Sequence, residues 1–160
     1  MQKVTLLCVG KLKESFYISA VAEYQKRLSR HCQLSIVELP EQKLSDTPSG
    51  GEIDQALSKE AAAIEEKIPK GSTIIAMCIE GKELSSAALA QKLESFATSG
   101  ASSLCFLIGC SFGLHESIKA KADFKRSMSP MTFPHHLARV MLLEQVYRAY
   151  QILGGTRYHK

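Results

Sequence analysis

Residues 109–113, Gly-Cys-Ser-Phe-Gly, match the pattern G-x-S-x-G, which presents the nucleophilic serine of α/β-hydrolases on a sharp strand-to-helix turn. The apolar run Leu104–Ile108 precedes the turn, as that chemistry requires. A serine nucleophile also needs a histidine base and an acid, and Asp123 and His135 follow Ser111 in the hydrolase order. The pattern fixes only three positions, however, and no H-G-G-G oxyanion loop accompanies it. Hydrolysis is therefore the weaker hypothesis.

Other common site patterns are missing from the sequence. The loop Gly10–Lys13 lacks the further glycines of a dinucleotide-binding turn, and no Walker A sequence occurs. The chain has five cysteines, an odd number, with no C-x-x-C spacing. This pattern favours buried, reduced thiols over disulfides or zinc ligands. We therefore expect no metal site.

The composition is that of an ordinary globular protein. The 160 residues are 45% hydrophobic and 22% charged, which predicts one domain over residues 1–160. No membrane-spanning run or signal-peptide pattern is present, so a cytoplasmic protein is the default expectation. Residues 111–160 hold 8 Lys and Arg against 3 Asp and Glu, whereas residues 1–110 hold 12 against 13. A basic C-terminal third suggests an anionic partner, most often nucleic acid.

Strand-like and helix-like patterns alternate along the chain. The predicted strands are Val4–Val9, Leu34–Leu39, Thr73–Ile79, Leu104–Ile108 and Phe124–Met128; the predicted helices are Ser15–Arg30, Glu52–Ile68, 85–98, Leu114–Ala122 and Pro134–Leu153. This order predicts an α/β fold with a mainly parallel sheet and helices on both faces. Ligands bind such sheets beyond the carboxyl ends of the strands. The loops after Ile79, after Ile108 and around 128–133 are therefore the expected binding loops.

Four pieces of the sequence carry a closer likeness to one known family. They are Val9-Gly10-Lys11-Leu12-Lys13; Gln25-Lys26-Arg27-Leu28; the turn from Leu107-Ile108-Gly109 to Gly113-Leu114; and a C-terminal piece with Met131-Thr132-Phe133-Pro134-His135, Arg139-Val140, Glu144–Ala149 and Tyr158-His159-Lys160. On these pieces the chain resembles, from end to end, the ribosomal RNA large subunit methyltransferase H family. The Phe-Pro-His helix start combined with the terminal Tyr-His-Lys is its most specific part.

The resemblance implies a function as well as a fold. It implies a SPOUT-class α/β fold with a C-terminal trefoil knot, a homodimer, and S-adenosylmethionine bound in the knot. It also implies an enzyme that methylates N3 of a pseudouridine in large-subunit (23S) ribosomal RNA on the assembled ribosome. The cofactor-binding residues that it carries over are Met77, Gly109, Met128, Ser129, Pro130, Met131, Thr132 and Phe133. They fall in the same three loops that strand geometry selects.

The resemblance and the basic end of the chain together suggest residues for catalysis and RNA binding. Tyr158 and His159 are the candidate catalytic residues: the tyrosine could stack on an unpaired base, and the histidine could take or relay the N3 proton. The candidate RNA contacts are His135, Arg139, Arg148, Arg157 and Lys160. Arg148 could equally pair with Glu144, four residues earlier on the same helix. Whether the tail acts in its own subunit's site or its partner's is open.

Some residues depart from the family pattern. Met77 stands where relatives often have leucine, and Arg157 stands where they often have proline or a small residue. Cys110 replaces a usual second glycine, and a cysteine would be strained there if the position needed positive φ. The last helix is apolar around much of its girth, which predicts a dimer interface, with burial in the monomer core as the alternative. A non-catalytic ribosome-binding factor and a nucleotide- or flavin-binding protein of flavodoxin size remain alternatives.

Overall fold

The computed structural model describes residues 1–160 as five strands that alternate with five helices. The strands are β1 (Gln2–Val9), β2 (Cys32–Leu39), β3 (Thr73–Glu83), β4 (Ser103–Ile108) and β5 (Phe124–Ser127); the helices are α1 (Ser15–Leu28), α2 (Gly50–Lys67), α3 (Ser86–Thr98), α4 (Glu116–Lys121) and α5 (His135–Leu153). All strand pairs are parallel, in the order β2-β1-β4-β3-β5. The predicted α/β fold is thus confirmed. The trefoil knot stays a prediction.

The sheet is covered on both faces because its strands alternate two sets of apolar side chains. In β1, Leu6 and Cys8 pack with α1, α3 and α5, whereas Leu7 and Val9 pack with α2 and α4. β4 alternates in the same way, and all five side chains from Leu104 to Ile108 are buried. Successive side chains of a strand point to opposite faces, so a strand buried on both sides is apolar throughout.

β3 is longer than the sequence pattern predicts. The sequence pattern predicts a strand over Thr73–Ile79, but β3 continues to Glu83 after a shift of register. Met77 and Lys82 both pair with Arg126 of β5, so residues 78–81 bulge out between them. A Cβ atom on Gly81 would lie 2.5 Å from the Arg126 carbonyl carbon. Gly81 therefore lets the backbone of β5 pack directly against the bulge.

The start of α5 is fixed to the carboxyl end of β1 by Arg139, which is only 1% exposed. Its Nη2 donates to the Gly10 carbonyl oxygen at 2.9 Å, and its Nη1 donates to Glu38 Oε2 at 2.6 Å. The same carboxylate accepts from the Leu12 amide. Although burial acts to raise it, these hydrogen bonds hold the pKa of Glu38 below its usual value. Arg139 thus joins α5, β2 and the loop after β1.

Replacing Arg139 by glutamine should destabilise the fold, because the shorter side chain leaves Glu38 and the Gly10 carbonyl without their cationic partner. We expect a loss of about 3 kcal/mol in the free energy of unfolding, measured by urea denaturation. Arg148→Gln is the matched control on the same helix: its partner Glu144 is four residues away and the pair is partly solvated. That change should cost less than about 1 kcal/mol. Equal losses in the two variants would contradict a special role for Arg139.

Candidate active site

A pocket of about 420 Å³ lies beyond the carboxyl ends of β3, β4 and β5, and we call it the strand-end pocket. Its walls are residues 77–80, 108–114, Lys119, 126–129, 131–133, His135 and Ala138. The volume is in the range of small-molecule sites, and about half of the lining is apolar. Of the eight predicted cofactor residues, seven line this pocket; Pro130 does not and is exposed. The structure therefore brings the three expected loops together.

The glycine-rich turn 109–113 forms one wall of the pocket. The Gly113 amide donates to the Cys110 carbonyl at 2.9 Å, and Gly113 has φ of 86°. Cys110 does not have positive φ, so its backbone does not carry the strain that a positive φ would cause. A Cβ atom on Gly109 would lie 2.2 Å from the Gly113 carbonyl oxygen. Gly109 is therefore required by the turn itself, in addition to the cofactor-binding role that the resemblance implies.

The loop 128–133 forms the opposite wall and leaves backbone groups free. The Ser127 hydroxyl donates to the Ser129 carbonyl at 3.0 Å, and the Met131 amide donates to the Ser129 hydroxyl at 3.0 Å. The backbone amides and carbonyls of Thr132 and Phe133 have no hydrogen-bond partner within the chain. Unpaired backbone donors and acceptors beside apolar side chains can bind the edge and the face of a purine ring.

Two charged groups of the pocket neutralise each other. Lys119 Nζ of α4 lies 2.5 Å from Glu80 Oε1 of the β3 bulge. The hydrogen bond from Lys119 holds the pKa of Glu80 below its usual value, which makes this carboxylate a poor proton acceptor. The sequence analysis missed both residues. They lie far apart in the chain, and only the fold of α4 over β3 brings them together.

Arg126 of β5 is a second residue that the sequence analysis missed. It lines the pocket and is only 3% exposed. No sequence signal marks it, because a charged residue in the short edge strand Phe124–Ser127 is expected to be exposed.

His135 and His136 separate the strand-end pocket from a second, wider cleft. That cleft has a volume of about 1070 Å³. Its lining consists of the loop after β1 (Gly10, Lys11, Lys13 and Glu14), residues 38–45, Ser111, Phe112 and His136. His135 lines the first pocket instead. Each histidine has a buried Nε2 atom without a hydrogen-bond partner. The Nε2 atom of His135 lies 3.9 Å from Glu41 Oε2, on the side of the wider cleft. Burial, assisted by the neighbouring His136, lowers the pKa of His135, so its imidazole is neutral near pH 7 and can accept a proton.

The hydrolase triad does not assemble. Asp123 Oδ2 accepts from the Ile74 amide at 2.7 Å, at the amino end of β3, whereas His135 lies beyond the carboxyl ends of the strands. Ser111 is exposed, and its hydroxyl makes no hydrogen bond with a histidine. The G-x-S-x-G pattern here builds a pocket wall and has no activated nucleophile.

The C-terminal tail folds back on α5, outside the strand-end pocket. The Tyr158 hydroxyl donates to Glu144 Oε1 at 3.0 Å, and the Arg148 guanidinium lies 4.7 Å from the centre of the Tyr158 ring. His159 Nδ1 is 3.2 Å from Arg148 Nη1. Glu144 is nine residues after His135, roughly 13 Å along the helix. Within one chain, the tail therefore does not reach the pocket.

The structure separates the predicted RNA contacts by exposure. Arg157 and Lys160 are exposed in the tail, and His135 lines the strand-end pocket. Arg148 forms the helical ion pair with Glu144, at 2.7 Å, that was the alternative to a phosphate contact. Arg139 is buried in the fold anchor and offers no surface to RNA, so the prediction that it contacts RNA is withdrawn.

No helix of the chain is both long and apolar enough to cross a membrane. No group of three or more His, Cys, Asp or Glu side chains is arranged to hold a metal ion. The five cysteines are all free, and four of them are buried.

Residues 2–159 match a family model described as "Predicted SPOUT methyltransferase". The chain belongs to this family. SPOUT methyltransferases generally use S-adenosylmethionine, which agrees with the α/β fold and with a pocket at the strand ends. A solved structure of a probable methylase family protein from Haemophilus influenzae Rd KW20 superposes on 99% of this chain and 71% of that one. The TM-score is 0.54 and the identity 13%, so this likeness bears on the fold alone.

Adding one methyl group at Gly109 should disrupt the pocket wall. Because the new Cβ atom would overlap the Gly113 carbonyl, Gly109→Ala should cost about 1–3 kcal/mol of stability. Gly50→Ala is the control, since nothing lies within 4 Å of a Cβ there and the residue starts α2. It should be neutral or stabilising by up to about 1 kcal/mol. Thermal or urea unfolding measures both, and a Gly109→Ala protein as stable as wild type would refute this account of the turn.

Proposed function

We propose that this SPOUT methyltransferase transfers a methyl group from S-adenosylmethionine to N3 of a pseudouridine in large-subunit (23S) ribosomal RNA. In this proposal it acts as a homodimer in the cytoplasm, on the assembled ribosome, and residues 1–160 form one knotted domain. The observation that carries the proposal is the strand-end pocket itself. In a chain of this family, it combines the glycine turn with a loop whose backbone groups are free.

The pocket fits the methyl donor. The adenine edge would meet the free amides and carbonyls of Thr132 and Phe133, and its ring would lie among Met77, Ile108 and Met128. When bound, S-adenosylmethionine supplies a methyl group activated by a sulfonium. The protein then has to hold the acceptor nitrogen in line with that group, and the loop between Met128 and Phe133 would bound one side of the space in which it does so.

The acceptor nitrogen must also lose its proton. His135 is the histidine that lines the pocket, and burial lowers its pKa. Its buried Nε2 atom lies 3.9 Å from Glu41 Oε2, on the side of the wider cleft. Nδ1 is then the ring nitrogen left to accept the N3 proton, directly or through a water molecule. The neighbouring Glu80 is less suitable because its carboxylate is already bound to Lys119. We therefore place the proton acceptor of one chain at His135.

A dimer would give the tail access to a pocket. Tyr158 and His159 contact side chains of α5 and lie outside their own chain's pocket. A catalytic role for them therefore requires the site of a partner subunit. The pocket rim supports such a partner, because Ile79, Phe112 and Met131 are large apolar side chains that are about half or more exposed. On α5 itself, Leu143 and Val146 are buried within the monomer, which leaves Val140, Met141 and Tyr147 half-buried at its surface.

Tritium transfer from labelled S-adenosylmethionine tests the proposed function. We expect label in ribosomal RNA of assembled ribosomes, at N3 of a pseudouridine, and far less in naked RNA. His135→Gln should lose at least about 100-fold in transfer, the usual contribution of a general base, with donor affinity retained. His115→Asn keeps an acceptor at the start of α4 and serves as the control histidine. Donor binding without transfer to any ribosome would reject the substrate, and no donor binding would reject the methyltransferase.

Deleting Tyr158–Lys160 separates the tail from the pocket. Because the tail lies outside its own pocket, the truncated protein should bind the donor within about tenfold of wild type, roughly 1.4 kcal/mol. Transfer to ribosomes should be abolished while dimerisation, measured by light scattering, is kept. Tyr158→Phe should be milder than Tyr158→Ala if stacking matters more than the hydroxyl. A truncated protein that methylates ribosomes at the normal rate would refute the role of the tail.

A further inference from the structure

Arg126 is a buried cation without an anionic partner. Its Nη1 contacts only the Met128 sulfur, at 2.8 Å, and its Nε atom is buried with no hydrogen-bond partner. A thioether is a weak, uncharged acceptor and does not compensate a guanidinium. Burial lowers the pKa of Arg126, and no neighbouring carboxylate opposes that effect. An unpaired buried charge is costly, so this residue calls for a specific explanation.

The position of Arg126 is fixed by the backbone around it. The backbone of Arg126 pairs with both Met77 and Lys82 across the β3 bulge, and Gly81 packs directly on the Arg126 peptide group. The bulge and β5 therefore hold the side chain at the wall of the strand-end pocket. Bulges often serve to aim a side chain into a site. The unpaired guanidinium is held ready for a ligand and is not free to swing into solvent.

The remaining charges of the pocket are balanced. Lys119 is paired with Glu80, and the lowered pKa of His135 leaves its imidazole neutral. Arg126 is thus the one uncompensated charge in the wall of the pocket. A ligand that fits this pocket electrostatically should present an anion to Arg126 and keep its cations away from it.

S-adenosylmethionine has a single anionic group, the carboxylate of its methionine part, beside a sulfonium and an ammonium. We propose that Arg126 binds this carboxylate through its guanidinium, and so sets the orientation of the methionine part in the strand-end pocket. Planar guanidinium groups bind carboxylates in a two-point manner that fixes direction as well as position. The inference rests on the proposed function, because it requires S-adenosylmethionine in this pocket.

An RNA phosphate is a less suitable partner for Arg126. The residue is 3% exposed and is covered by Met128, whereas backbone phosphates of a bulky RNA reach exposed cations such as Arg157 and Lys160. A small carboxylate at the end of a flexible chain can enter the pocket. The two possibilities differ in what the loss of Arg126 changes, either donor affinity or RNA methylation alone.

Calorimetric titration with two donors tests the proposal. Wild type should bind S-adenosylmethionine at least about tenfold more tightly than its decarboxylated analogue, which lacks only the carboxylate. Arg126→Leu should lose that preference through weaker binding of S-adenosylmethionine, while Arg126→Lys should keep part of it. Lys125→Leu is the matched control, because it removes a cation from the next residue of β5, where the side chain is exposed. That variant should keep the full preference.

Unfolding of the ligand-free protein gives a second measurement. If Arg126 is an unpaired charge kept for a ligand, Arg126→Leu should raise Tm without donor and reduce the Tm increase that the donor produces. Equal weakening of both donors, or donor affinity unchanged with RNA methylation lost, would overturn the carboxylate assignment. A wild-type protein that binds neither donor would instead overturn the proposed function, and the Arg126 assignment with it.

Discussion

The hydrogen bond from Arg139 to the Gly10 carbonyl fixes the geometry on which the site depends. It places the first turn of α5 at the carboxyl end of β1, although the preceding strand, β5, lies at the edge of the sheet with β4 and β3 in between. The seven residues 128–134 must therefore cross roughly three strand spacings, about 14 Å. They do so over the ends of β3 and β4, and the space beneath them is the strand-end pocket.

This crossing also explains why the loop can bind a ligand. A segment that spans the strand ends has no neighbouring strand with which to pair, so the backbone groups of Thr132 and Phe133 stay free. Its side chains have no layer above them, so Met131 remains 70% exposed. A buried loop with unpaired backbone groups would be unstable. At the rim of a pocket, the same groups provide donors and acceptors, and the exposed side chains provide apolar surface, for a ligand or a partner subunit.

Sequence patterns predicted the elements and the sheet class because both depend on local periodicity. The continuous apolar run Leu104–Ile108 predicted a central strand, and β4 is buried on both faces. The same patterns selected the three loops that meet at the strand-end pocket. The patterns did not predict the role of Arg139. An arginine on a partly polar helix has the same sequence signal whether its side chain is exposed to RNA or buried against a carbonyl far away in the chain. For Gly109, the motif identified the residue, but only the fold showed that its neighbour in space is Gly113.

Arg126 shows a limit of a different kind. Hydrophobic patterning predicts which side chains are buried, and by that criterion a charged residue in β5 belongs to the exposed edge of the sheet. The β3 bulge reverses this outcome, because residues 78–81 leave the ladder and return to pair with the same residue, enclosing its side chain. Gly81 permits the strand to return, because it has no side chain to collide with Arg126. Neither Gly81 nor Arg126 predicts the bulge from its own place in the sequence. The bulge thus lengthens one wall of the pocket and buries a cation in it. In physical terms, stability is given up at an edge strand where a charged ligand can restore it.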